Sequence, residues 1–94
     1  KLGENMKNND VVTVVAISGE YVGRLVGEPV GKLTLSKPRM LVTGQDGGMG
    51  FARGVAMTGE ENPKEIKFNN FIFVTPTNSE VVSAYVQATT GIIL

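Results

Sequence analysis

The side chains that could do acid–base or nucleophilic chemistry are few and scattered. The 94-residue chain has no histidine and no cysteine, and its only aspartates are Asp10 and Asp46. Both aspartates fall in polar segments that read as lead-in or turn. The glutamates stand at 4, 20, 28, 60, 61, 65 and 80. The adjacent pair Glu60-Glu61 lies in Gly59-Glu60-Glu61-Asn62-Pro63, where two solvated carboxylates are the ordinary outcome. A serine or lysine nucleophile needs a base and a group to orient it, and no local run supplies both. The expectation is a protein that is not an enzyme, with no cofactor and no metal, since thiolate and imidazole ligands are missing altogether.

Charge narrows the partners. Nine basic residues cancel nine acidic ones, so the strongly basic face of a duplex-binding domain is not visible in composition, and any nucleic-acid contact must be local. The lack of cysteine fits a reducing compartment, which makes the cytoplasm the expected location. No stretch approaches the ~18–20 apolar residues of a membrane-spanning helix. Gly19, Gly23, Gly27 and Gly31 recur at every fourth position, but Glu20, Arg24, Glu28 and Lys32 directly follow them, which rules out a packed membrane helix.

The elements that must position any site read mostly as β. Residues 1–10 form a polar lead-in, and a single domain covers 11–94. Val11 to Ile17 is a β-branched run of strand length, ended by Ser18-Gly19. Residues 20–28 alternate, with Tyr21, Gly23, Leu25 and Gly27 on one face, and glycines on one face permit a sharp bend. Residues 32–43 read as a third strand interrupted at Pro38, which cannot donate to a ladder. Gly44-Gln45-Asp46-Gly47-Gly48 is a hairpin signal. Residues 49–58 then alternate bulky Phe51, Arg53, Val55 and Met57 with bare Gly50, Ala52, Gly54 and Ala56. The bare face asks for another element of the same fold packed over it, or a ligand or neighbouring backbone in its place. A fifth strand is expected at 65–75 and a helix at about 78–89. The helix would open on a capping box, Thr77 with Glu80, and close on Gly91. Ile92-Ile93-Leu94 is an apolar end that should dock on its own domain or on a neighbour.

Two segments carry a family likeness. Val12 to Leu25 (VTVVAISGEYVGRL) is similar to the first motif of the Sm-like family: an apolar strand, a turn glycine, then Gly23-Arg24-Leu25. Ile66 to Val74 (IKFNNFIFV) resembles the second motif, an isoleucine-arginine-glycine-asparagine-asparagine run followed by an apolar strand. The likeness implies a small, strongly bent five-stranded Sm-like barrel, here with a C-terminal helix, that closes with copies of itself into a ring. It also implies single-stranded RNA at the ring opening. Lys67 stands where the family has its arginine, and Asn69 and Asn70 match the two asparagines. A cation beside amides can hydrogen-bond a base edge and a phosphate, and symmetry multiplies a weak site.

The chain departs from the pattern at four places, one of them the spacing from Gly19 to Gly23, which is one residue shorter than usual. Phe68 replaces the turn glycine, Glu28-Pro29-Val30-Gly31-Lys32-Leu33 lacks the aspartate and asparagine of the first motif, and the helix follows the strands instead of preceding them. In family rings the fourth strand of one copy pairs with the fifth of the next. This makes Ala52, Gly54, Val55, Ala56, Phe71 and Phe73 candidate interface residues.

Two readings of the turn remain open. Lys67, Asn69 and Asn70 either contact RNA or simply cap strand five. Phe68, Phe71 and Phe73 could stack on bases, although burial in the core or against a neighbour is the simpler expectation, with Phe71 and Phe73 sharing a face. Lys37-Pro38-Arg39 could meet phosphates, and is more simply a solvated kink. The alternative to an RNA-binding ring is a structural ring, a protein-interaction or viral shell component. The neutral charge, the missing acid and amide of the first motif and the apolar C-terminus all point that way.

Overall fold

In the computed structural model, which describes residues 6–28 and 31–91, the β-branched run forms β1 (Val11–Ala16). Alternation decides its two faces. Val12 and Val14 are fully buried in the main core and Ala16 packs beside it, while Thr13 is buried on the opposite face. Ile17-Ser18 turns the chain into β2 (Gly19–Val26), which pairs with β1 residue for residue from Ala16↔Gly19 to Val11↔Arg24.

β3 (Leu33–Thr43) is the hinge of the sheet. Val22 pairs with Arg39 and Arg24 with Ser36, so three steps on β3 face two on β2 and one extra residue must be accommodated. Lys37 takes it up in the left-handed region, at φ 49°. Pro38 follows, where a missing N–H costs no ladder bond. Gly23 sits opposite this bulge. A Cβ there would lie 3.0 Å from the Leu35 Cβ and 3.1 Å from the Ser36 carbonyl oxygen, so glycine is what lets the two strands close at the bend.

Beyond the bulge the open edge of β3 is shared. Its first half pairs with β5 (Glu65–Phe68), from Leu33↔Phe68 to Ser36↔Glu65. Its second half pairs with β4 (Met49–Phe51), from Leu41↔Phe51 to Thr43↔Met49. The turn between β3 and β4 is the expected hairpin: Gly47 has φ 84° and the Asp46 carboxylate accepts from the Gly48 N–H at 2.9 Å. β6 (Phe73–Pro76) pairs with the far edge of β1. The order is β4-β3-β2-β1-β6, with β5 alongside β3.

Three expectations are corrected here. Among the described residues the sheet has six strands, not five, and it does not close on itself. The fourth strand ends at Phe51 instead of residue 58, because the Gly/Ala-rich stretch after it curls back, with the Gly59 N–H donating to the Ala56 carbonyl. The fifth strand is split at 69–72, where the chain crosses from the edge of β3 to the edge of β1.

The core lies on one face of this bent sheet: Val12, Val14, Tyr21, Leu25, Leu33, Leu35 and Val74, with Met6 added from the lead-in. Full burial of each such side chain contributes about 1.5–3 kcal/mol. The lead-in is thus more than polar. Its backbone wraps the end of β2, with the Asn9 N–H donating to the Leu25 carbonyl and the Leu25 N–H to the Asp10 carbonyl. The Asn8 side chain accepts from the Gly27 N–H.

Helix α1 (Ser79–Thr90) covers the opposite face. Its cap is Asn78, whose Oδ1 accepts from the Val81 N–H at 2.9 Å, and not the expected Thr77–Glu80 box. The Thr77 hydroxyl instead meets the Thr13 hydroxyl at 2.8 Å and ties the helix entry to β1. Gly91, at φ 78°, ends the helix as its position implied. Tyr85 is fully buried and is the anchor of this face. No helix of the described residues is long and apolar enough to cross a membrane. Pro29, Val30 and the apolar end Ile92-Ile93-Leu94 lie outside the described residues.

Candidate functional site

β5 presents Ile66 and Phe68 to the core, so Lys67 between them points outward and is exposed, opposite Thr34 of β3. The chain then turns through Asn69 and Asn70, both exposed. Asn70 lines a hollow of about 330 Å³ together with Ala16, Ile17, Ser18, Phe68, Phe71 and Ile72. The turn 69–72 is held against the end of β1 by the Ile72 N–H, which donates to the Val15 carbonyl at 2.7 Å. Lys67 is not part of the hollow. Of the three residues singled out in the sequence, Asn70 alone reaches it, and Lys67 belongs to the outer face of β5.

The aromatic residues divide in a way the sequence hid. Phe68 packs edge-on against Tyr21, with ring centres 5.1 Å apart, so the residue in place of the turn glycine is a core contact. Phe71 also packs against the core. Phe73 of β6 pairs with Val15 of β1 and is 45 % exposed, while its neighbour Val74 is buried. Phe71 and Phe73 therefore do not share a face, because the break at 69–72 interrupts the alternation.

Around the hollow the surface is apolar. Ile17 is 97 % exposed and Ile72 is 62 % exposed. The Ser18 hydroxyl lies 2.7 Å from the Tyr21 hydroxyl at its margin. An amide at the lip of an apolar hollow can accept from and donate to a planar polar group while the walls cover its face. The described residues contain no group of acidic side chains able to hold a metal ion.

The candidate interface residues of the expected fourth strand fall in a loop. The Ala52 N–H adds one more bond to β3 through the Met40 carbonyl. Gly54 passes close under the Glu60 carbonyl, Val55 turns in against the core, and Ala56 is exposed. The expected bare face of a strand therefore does not form: Gly50 meets nothing within 4 Å, Ala56 is exposed, and Gly54 packs closely only as part of the loop. The basic cluster 37–39 also separates: Lys37 is exposed, whereas Pro38 and Arg39 are buried on the helix face, with the Arg39 guanidinium donating to the Pro38 carbonyl at 2.8 Å. Sequence reasoning missed Ile17 and Ile72, whereas the helical spacing of Val81, Val82, Ala84, Tyr85 and Ala88 did place Tyr85 on the apolar face, where it is buried. Ile17 carries the one signal that was available, an isoleucine placed inside a two-residue turn.

No protein-family model matches the chain, and no curated protein matches it significantly. The functional reading therefore rests on the hollow, the open edges of the sheet and the residues around them.

Proposed function

We propose that the chain is an Sm-like protein that assembles into a cyclic homo-oligomer and binds single-stranded RNA weakly, with Asn69 and Asn70 contacting bases and Lys67 a phosphate. The observation that carries this reading is the position of Asn70. It stands on the lip of the aromatic-walled hollow, directly beside the start of β6. The assembly part is supported by the ends of the sheet. β6 pairs only with β1, and β4 and β5 pair only with β3, among the described residues. Unpaired strand edges are templates for pairing with another chain, and a cyclic arrangement would satisfy both ends at once.

A second reading, a structural ring that binds proteins and no nucleic acid, is favoured by two observations. Lys67 faces away from the hollow, and the exposed apolar residues Ile17, Ile72 and Phe73 cluster around the β6 edge. Fluorescence anisotropy with labelled uridine-rich and adenosine-rich oligonucleotides separates the two. The RNA-binding ring predicts salt-sensitive binding that weakens in Asn70→Ala. A wild-type protein that binds neither oligonucleotide at low salt leaves the structural ring.

A further inference from the structure

The register of β3 and β5 gathers charge that the overall balance conceals. Lys67 pairs opposite Thr34, and Lys32 precedes Leu33, the partner of Phe68. At the other end of the same ladder the Lys37 N–H donates to the Lys64 carbonyl at 2.8 Å. Lys32, Lys37, Lys64 and Lys67 are all exposed, and none forms an ion pair among the described residues, where Arg53 with Glu61 is paired. Two carboxylates, Glu65 within the ladder and Glu28 at the end of β2, stand against these four lysines. The other exposed acids, Glu20, Asp46, Glu60, Glu61 and Glu80, lie at the start of β2, in the β3–β4 turn, in the loop after β4 and in the first turn of α1.

The Cα atoms of Lys64 and Lys67 are about 10 Å apart at a strand rise of ~3.3 Å, Lys37 on β3 and Lys32 just before it lie about one strand spacing away, ~5 Å, and Glu65 shares the outward face of β5 with Lys67. The outer margin of β3–β5 is therefore a short basic track. It ends at Asn69 and Asn70, so a polymer lying along it would deliver its next unit to the hollow.

We propose that this margin holds the phosphodiester backbone of a single-stranded nucleic acid, with Lys37 and Lys64 at one end, Lys67 in the middle and Lys32 at the end next to the asparagine turn. This deepens the RNA-binding reading and rests on it: the asparagines meet bases, and the four lysines meet phosphates. Phosphate contacts release counterions, so binding should fall with salt at a slope of about −0.7 in log K per log salt for each phosphate neutralised, or about −2.8 for four.

The test is anisotropy with a labelled uridine-rich oligonucleotide and a labelled poly-glutamate of equal length, across a salt series. The proteins compared are wild type, Lys37→Asn/Lys64→Gln, Asn70→Ala and the control Lys7→Gln. Asparagine at 37 is chosen because it tolerates the left-handed backbone there, and melting curves verify that the double variant folds. The expected result is a slope shallower by about 1.4 in the double variant, unchanged slopes in the Lys7 control and in Asn70→Ala, and no comparable binding of poly-glutamate. An unchanged slope in the double variant overturns the track. Loss of binding in Asn70→Ala alongside that unchanged slope leaves the asparagine reading standing without it. Equal binding of poly-glutamate overturns nucleic acid in favour of an acidic chain, and no binding of either probe by wild type overturns both readings.

Discussion

The Tyr85 hydroxyl donates to the carbonyl oxygen of Lys37 at 2.7 Å, with the Ser36 carbonyl 3.3 Å away. These carbonyls flank the point where β3 bulges, so the helix supplies at the bulge the partner that the ladder cannot. Tyr85 is fully buried and its ring meets Phe51 edge-on at 6.1 Å. One side chain thus ties α1 to the bend of β3 and to the short strand β4.

Tyr85→Phe keeps the ring and removes the donor. Losing this partly buried hydrogen bond costs about 0.5–1.5 kcal/mol, which for a domain of this size lowers the melting temperature by roughly 4–8 °C per kcal/mol. Tyr85→Ala also opens a cavity and should cost more, about 3–5 kcal/mol by analogy with other aromatic truncations. Thermal and urea unfolding of the two variants measure the difference. Equal stability of wild type and Tyr85→Phe would mean the bond contributes nothing net.

The same group sets a pH dependence. Burial pushes the Tyr85 hydroxyl above its usual value of 10.0, against the opposing pull of Arg24 and Arg39 and of a backbone hydrogen bond at Arg24. The folded state therefore holds this proton more tightly than the unfolded chain. The contribution is fully present below the unfolded pKa and is lost as pH rises through the folded one. Wild type should lose stability more steeply than Tyr85→Phe above about pH 10, the ordinary tyrosine pKa, and the gap between them should narrow there. Urea midpoints from pH 7 to 11 give the comparison, and a constant gap would exclude this linkage.

Gly23→Ala should be destabilising by about 1–3 kcal/mol, the usual range for an overpacked site, because its Cβ would meet Leu35 at 3.0 Å and the Ser36 carbonyl at 3.1 Å. Gly50→Ala meets nothing within 4 Å and should be neutral or slightly stabilising through the unfolded chain. Denaturant midpoints of the pair check the bulge geometry directly. The reverse ranking would mean that β2 and β3 do not approach closely at that bend.

Asn78→Ala should lower stability by about 0.5–2 kcal/mol through loss of the helix cap, with Glu80→Ala costing less. The wrong expectation about this cap is instructive. Thr77-Asn78-Ser79-Glu80 contains three good capping residues, and local pattern cannot choose among them. The choice is made by a tertiary contact, the Thr77 hydroxyl being taken up by Thr13, 64 residues earlier in the chain.

What the sequence made legible follows the same division between local and distant causes. β1, β2, the hairpin at 44–48 and the Gly91 stop are written in short runs whose periodicity or backbone demands are local, and they appear where those runs place them. Pro38 announced an interruption in β3, and the bulge at Lys37-Pro38 is that interruption. The split of 65–75 had a local signal in Asn69-Asn70, which strands disfavour, but that its two halves would join different edges, β3 and β1, was not legible. That split also decided the site: it turned Asn70 toward the hollow and left Lys67 outside. Met6 was hidden in a polar decapeptide, and its burial depends on the end of β2 being near.

Self-assembly through the open strand edges is the claim on which the rest depends, and the mass of the purified protein in solution tests it most directly. Size-exclusion chromatography with light scattering at tens of micromolar chain should give a single species at a fixed multiple of 10.0 kDa, persisting on dilution. A species at 10.0 kDa alone would contradict it.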